Sequence, residues 1–227
     1  MKNSKVKIAL FDFDGTLVSS HLWSGLLKYY FKRKEKLFSI FRFLISNFSL
    51  TPFWKMGLIS TKKYYQGWGE GMAPLMKGVN MERAKEIFNW LTDVHLLPSL
   101  KKDTLERLKK HQGDGYLIVL TSGSFQDLIK VFSSRLDVDL VIGTELEVVK
   151  NKFSGRIIPP LCFAQGKAEK VKQFLAENNL TIDFKESFAY SDSIFDLPML
   201  ELVGNPVAVD PDKKLLETAN TRGWQII

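Results

Sequence analysis

The chain has 227 residues, 45% of them hydrophobic and 25% charged, and a formal net charge of +7. This is enough for one large domain, or for a domain carrying a sizeable insertion. A single cysteine, Cys162, excludes an internal disulfide and suits a reducing compartment. No apolar run reaches the roughly 18 residues of a membrane span. The charged start, Met1 to Lys7, leads into an apolar run broken by Asp12 and Asp14. It does not read as a signal peptide, and a cytoplasmic protein is expected.

Val6 to Phe11 reads as a buried strand, with Asp12 and Asp14 at its end. Side chains two apart on a strand point the same way, so the two carboxylates meet at one spot only if the strand stops there and loops over. Gly15-Thr16 supplies the loop, because glycine permits the turn. Two acids there repel unless a cation neutralises them or one holds a proton.

From Val18 to Pro98 the composition changes. This segment holds 12 Lys/Arg against 5 Asp/Glu, so the whole surplus of +7 lies within it. Aromatics crowd there too, among them Trp23, Tyr29, Tyr30, Trp54, Tyr64, Tyr65 and Trp68. The shift marks residues 18–98 as a module inserted into a core made of 1–17 and 99–227. Apolar spacing predicts helices over Leu22–Phe31, Leu37–Ile45, Thr61–Trp68 and Met81–His95, a small bundle.

Beyond the insertion the pattern alternates. A surface helix over Leu100–Gln112 is ended by Gly113-Asp114-Gly115. Tyr116–Leu120 has the continuous apolar character of a buried parallel strand. Thr121-Ser122-Gly123-Ser124 follows, then a helix over Phe125–Arg135, a strand over Leu140–Gly143 and a hairpin over Glu145–Ile158. Gly166–Asn178 is helical in pattern, and Ser187–Ser191 and Pro206–Val209 are strands. Such alternation implies an α/β fold, a parallel sheet with helices on both faces. Asp12 and Asp14, Ser122 and Asp192 each stand at a strand's carboxyl end, where open α/β sheets bind ligands. Asp210 reads as a turn residue near the rim of that site. Taken singly, Ser122 is a helix cap, Lys167 a solvated helix residue, Asp196 a first-turn acid and Cys162 a packed thiol.

Four stretches change that bland reading. Asp12-Phe13-Asp14-Gly15-Thr16, Ser122-Gly123, Lys167 in Gln165-Gly166-Lys167-Ala168, and Asp192-Ser193-Ile194-Phe195-Asp196 resemble, in order, the four motifs of the haloacid dehalogenase (HAD) superfamily of phosphohydrolases. The insertion and the hairpin before Lys167 resemble the phosphoserine-phosphatase-like branch. The resemblance implies a Rossmann-like core with an inserted helical cap. It implies that Asp12 attacks phosphorus and forms an aspartyl-phosphate, and that Asp14 serves as acid and then base. It implies Mg²⁺ held by the Asp12 carboxylate, the Asp14 backbone carbonyl and Asp192, with Asp196 behind it orienting a bound water. Ser122 and the Gly123 amide would hold phosphoryl oxygens, and Lys167 would neutralise phosphate and aspartate together. Relatives that displace halide lack a carboxylate at the Asp14 position, which favours phosphatase chemistry. Phosphoryl transfer between sugar positions would use the same residues.

The resemblance implies that the insertion caps the site and selects the substrate, a small phosphorylated metabolite or a lipid phosphate. Phosphoserine phosphatases carry a glutamate nine residues after the nucleophile. Here that position is His21, which cannot supply a firm negative charge near neutrality. Phosphoserine phosphatase proper is therefore the alternative reading. Trp23 to Arg33 and Ala189 to Ser193 resemble, more weakly, the bacterial phosphatidylglycerophosphate phosphatases, which points to a lipid phosphate. The basic, aromatic cap then allows peripheral contact with an anionic membrane surface. The opposing reading places the aromatics in the bundle core and the charges on a solvated face. A non-catalytic protein binding phosphate or nucleic acid is the reading from another class. No nucleic-acid-binding motif accompanies the basic segment, and nucleic acid is not the expected partner.

Overall fold

The computed structural model describes residues 5–138 and 140–227. Met1–Ser4, at the charged start and the beginning of the 1–17 core segment, and Asp139 lie outside them. The first strand, β1 (Ile8–Asp12), is buried along its whole length. Its side chains alternate between two apolar clusters, Ala9 and Phe11 entering one and Ile8 and Leu10 the other. That division follows from the two-residue period of a strand, with both faces covered.

Helices α1 (Leu22–Arg33), α2 (Leu37–Phe48), α3 (Thr51–Lys55), α4 (Thr61–Gly71) and α5 (Met81–Trp90) follow. A π-helical stretch, Leu91–Leu96, continues α5, so the helix expected over Met81–His95 changes its winding near Trp90. The short α3 was not anticipated: five residues with Pro52 in the first turn give little periodic signal. Within this segment the aromatics divide between the two roles weighed above. Tyr29, Tyr30 and Phe43 are buried, whereas Phe38, Phe41 and Phe48 are exposed.

The chain returns through α6 (Lys102–Gly113) to β2 (Leu117–Phe125), α7 (Gln126–Ser133), β3 (Leu140–Val149) and β4 (Lys152–Ile158). Two expectations are corrected here. The second strand runs on through Thr121-Ser122-Gly123-Ser124 to Phe125, where its register with β3 shifts. The strand expected over Leu140–Gly143 and the first arm of the hairpin are one continuous strand, with Thr144 paired to Phe125 between them. Then come α8 (Gln165–Glu177), β5 (Phe188–Ser191), α9 (Leu197–Leu200), β6 (Asn205–Ala208), α10 (Lys213–Arg222) and the short β7 (Gln225–Ile226).

The seven strands form one sheet in the order β4-β3-β2-β1-β5-β6-β7. Every pairing is parallel except β3 with β4. Helices α6 and α7 pack on the Phe11 face through Leu108, Leu128 and Phe132. Helices α8, α9 and α10 cover the Leu10 face through Val171, Leu200 and Leu215. The expected α/β class is therefore present. Strand order builds outward from β1 on one side and then returns to its other side at β5. A crevice at the carboxyl ends of β2, β1 and β5 is the binding position of such a sheet.

Candidate active site

Strand register brings the polar endings together. Asp12 pairs with Thr121 on β2, and Phe11 pairs with Tyr190, one residue before the end of β5. Asp12, Ser122 and Asp192 thus emerge side by side. The turn after β1 is close: Gly15 has φ +93° and accepts Lys101 Nζ through its carbonyl. A Cβ at Gly15 would overlap the Asp192 carboxylate. Glycine is required twice there, once for the positive φ and once for space.

Asp12 is 6% exposed and uses both oxygens. Lys167 Nζ, in the first turn of α8, donates to Oδ1 at 2.6 Å, and the Thr16 hydroxyl lies 2.9 Å from Oδ2. Lys167 also donates to Asp196 Oδ2 at 2.6 Å, and Ser191 Oγ donates to that same oxygen at 2.7 Å. Thr16 Oγ1 lies 3.0 Å from Asp192 Oδ1 and accepts the Asp192 N–H at 3.0 Å. A hydroxyl carries one proton, so Thr16 divides a single donor between Asp12 and Asp192.

Asp14 is held from three sides. The Leu22 N–H, at the start of α1, donates to Oδ1 at 3.0 Å. Ser122 Oγ and Ser124 Oγ donate to Oδ2 at 3.0 and 2.5 Å. The Ser122 hydroxyl, expected to face phosphate, is here committed to Asp14, and it also accepts the Ser124 N–H.

Lys167 lies between the Asp12 and Asp196 carboxylates, and Asp192 joins the group through Thr16. Burial pushes the Asp12 carboxyl well above the usual carboxylate range; Lys167 opposes this, and Asp196 and Asp192 add to it. Asp192 is pushed up as well, first by burial and then by Asp196, against the Thr16 hydrogen bond. Burial alone would lower the Lys167 ammonium, but Asp12 and Asp196 outweigh it and keep it charged. An excess of buried negative charge among oxygen donors fits a hard divalent cation. No group of three or more His, Cys, Asp or Glu side chains suited to a metal occurs among the described residues. The implied set does not need one, as it joins two carboxylates, Asp12 and Asp192, to the Asp14 carbonyl.

These groups line one cleft of about 620 Å³. Its far wall comes from the helical segment, chiefly Trp23, Trp54, Tyr64, Tyr65 and Trp68. Trp54 and Tyr64 stack at 4.6 Å, and Trp68 meets Trp23 edge to face at 5.3 Å. Phe195 meets Tyr65 at 5.7 Å and Phe163 at 5.1 Å. Among the described lining residues from this segment there is no Asp, Glu, Lys or Arg. His21 lines the cleft and is exposed. Its carbonyl accepts the Ser24 hydroxyl, and its ring stacks near Trp23 at 6.5 Å.

Every proposed site residue therefore lines this cleft, Gly123 among them and Asp196 paired with Lys167. Asp210, exposed, pairs with Lys101 at 2.9 Å. Cys162 is fully buried, and burial pushes its thiol up to about 11, as suits a packed residue. Sequence reasoning missed the partners: the Thr16 hydroxyl, Ser124, Ser191, and Asp212, which accepts the Ile194 N–H at 2.8 Å. Ser124 could have been found, since it stands two residues from Ser122 on an extended segment.

A mostly parallel sheet covered on both faces, with acids and a lysine gathered at its carboxyl edge, has the architecture of an α/β enzyme with its site at the strand ends. The chain belongs to the haloacid dehalogenase-like hydrolase family, whose model matches residues 9–201. It is 27% identical over 234 residues to a Neisseria meningitidis protein named histidinol-phosphatase, covering 100% of this chain and 99% of that one. It is 28% identical over 223 residues to Mycobacterium tuberculosis phosphoserine phosphatase SerB1, covering 96% of this chain and 69% of that one. A Bordetella pertussis protein of unknown function shares the fold with a TM-score of 0.80 and 27% identity, over 99% of both chains. The chain is a phosphatase of this family.

Proposed function

We propose that this phosphatase is a Mg²⁺-dependent phosphomonoester hydrolase that works through an aspartyl-phosphate on Asp12. Its substrate is a small phosphorylated metabolite or a lipid phosphate whose organic part is apolar or aromatic. The observation that carries the reading is the buried cluster in which Lys167 bridges Asp12 and Asp196 at 2.6 Å. Bound Mg²⁺, held by Asp12, Asp192 and the Asp14 carbonyl, would draw charge from the phosphoryl oxygens. Lys167 offsets negative charge at the nucleophile and keeps Asp12 oriented. Asp12 Oδ forms the bond to phosphorus as the ester oxygen leaves, and Asp14 hands that oxygen a proton. Asp14 then takes a proton from the water that hydrolyses the acyl phosphate.

The cleft wall supports the substrate class. Phosphoserine brings an ammonium and a carboxylate, and among the described residues that line the cleft the helical segment offers neither a carboxylate nor a Lys or Arg to meet them. Aromatic faces accept rings, alkyl groups and, by cation–π attraction, an isolated ammonium. Histidinol phosphate, with a ring and an ammonium but no carboxylate, satisfies that wall better than phosphoserine.

The test is turnover of phenyl phosphate, histidinol phosphate, a lysophosphatidic acid and phosphoserine, with and without Mg²⁺. Turnover should need Mg²⁺, and phosphoserine should be the poorest of the four. Asp12→Asn should reduce kcat at least ~10³-fold and abolish acid-stable labelling by substrate phosphate. Full activity of that variant refutes the nucleophile, and a preference for phosphoserine refutes the substrate class.

A further inference from the structure

The outer surface of α2 carries a feature that the catalytic cleft does not use. At about 100° per residue, Leu37, Phe38, Phe41, Ile45 and Phe48 fall in one sector about 100° wide. All five are exposed, Phe38 by 79% and Phe41 by 62%. Ile40, Phe43 and Asn47 occupy the adjoining sector and are buried. The helix thus has one apolar sector packed inward and a second apolar sector facing out. Met56 and Leu58, 63% and 71% exposed, add two further exposed apolar side chains just after α3. Bundle packing explains the first sector and leaves the second unexplained.

Charge indicates the occupant. From Lys36 to Gly69 the chain has five basic residues, Lys36, Arg42, Lys55, Lys62 and Lys63, and no acidic one. Arg42, Lys55, Lys62 and Lys63 are exposed. Among the described residues none of these four makes an ion pair. A short helix with a wide exposed apolar sector, in a stretch of chain that carries cations and no acid, has the pattern of an interfacial anchor. No helix among the described residues is long and apolar enough to cross a membrane. We infer that α2 and the Met56–Leu58 turn dock on an anionic lipid surface, the aromatic sector entering the headgroup boundary and the lysines meeting lipid charge. The docked face and the cleft share a wall, since Phe48 contacts Trp68 at 5.5 Å and Trp68 lines the cleft.

The test is co-sedimentation of the full chain with phosphatidylcholine vesicles containing 30% phosphatidylglycerol, and with phosphatidylcholine alone. Three proteins are compared: the unaltered chain, a Phe38→Ser/Phe41→Ser variant and a Lys62→Gln/Lys63→Gln variant. Phenyl phosphate turnover checks that each variant is folded. Binding should require phosphatidylglycerol, fall with salt, and drop roughly 30-fold in the lysine variant, at about five-fold per basic residue. The phenylalanine variant should bind at least ~10-fold more weakly. Absence of binding at low salt overturns the inference. So does binding to both vesicles alike in all three proteins. A concentration-dependent dimer abolished by Phe38→Ser/Phe41→Ser, without lipid binding, would assign the face to a second copy and overturn it equally.

Discussion

Lys167→Met removes the one ammonium from between Asp12 and Asp196 and leaves a side chain of similar length. In the folded chain Lys167, Asp12 and Asp196 have side chains 4%, 8% and 5% exposed, so water replaces little of the lost partner. Removing one member of a buried ion pair costs about 3–5 kcal/mol, because the charge left behind is uncompensated. At roughly 2–4 °C per kcal/mol for a chain of this size, Tm should fall roughly 6–20 °C. The sign with pH is fixed by the carboxylates. Asp12 already titrates above its ordinary value of 3.8, and loss of Lys167 raises it further. The variant therefore binds an extra proton more readily as pH falls, and its deficit against the parent narrows between pH 7 and pH 5. Adding Asp196→Asn to Lys167→Met should recover part of the lost stability without restoring turnover. The assay is thermal unfolding followed by far-ultraviolet circular dichroism, in chelator, at several pH values. A Tm unchanged by Lys167→Met, or a deficit that widens on acidification, would refute the charge argument.

Three further outcomes follow from particular contacts. Ser124→Ala removes a hydroxyl that donates to Asp14 at 2.5 Å. A hydrogen bond to a charged group contributes about 1.5–3 kcal/mol, so kcat should fall roughly 10- to 100-fold with KM nearly constant. Steady-state kinetics on phenyl phosphate will show it, and Ser124→Thr should restore part of the rate. Gly15→Ala forces a Cβ onto the Asp192 carboxylate at φ +93°, and should abolish turnover and weaken any Mg²⁺-dependent rise in Tm. His111 is 7% exposed, is bonded through Nε2 to Tyr190 Oη at 2.8 Å, and is held below its ordinary 6.5 by burial. Below about pH 6.5 the unfolded chain binds the proton more readily, so this residue costs stability as pH falls. The difference in Tm between His111→Phe and the parent should therefore shift in the variant's favour as pH drops from 7 to 5.

Much of the fold was legible because both signals involved are local. Continuous apolar runs such as Ile8–Phe11 and Leu117–Leu120 are what a strand covered on both faces requires. Asp12, Ser122 and Asp192 could be placed together because parallel strands deliver their carboxyl ends to one edge. Contacts that depend on packing were not legible. The Thr16 hydroxyl between two carboxylates, Ser191 on Asp196 and the winding change at Leu91 arise only once the chain has closed. The aromatic segment shows the same limit. Its composition allowed a bundle core or an outward face, and α2 does both, with Phe43 inward and Phe41 outward.

The hydrogen bond from the Leu22 amide to Asp14 joins two parts of the chain with different work to do. Leu22 opens the helical run that walls the cleft, and Asp14 belongs to the turn that closes β1. Any tilt of α1 away from the sheet must stretch this bond and release one oxygen of the acid. Under the proposed mechanism, substrate grip and proton delivery would share one mechanical link. Under the same mechanism, a ligand that pulled α1 out of place would also loosen Asp14, so poor fit would be answered by slow chemistry as well as by weak binding.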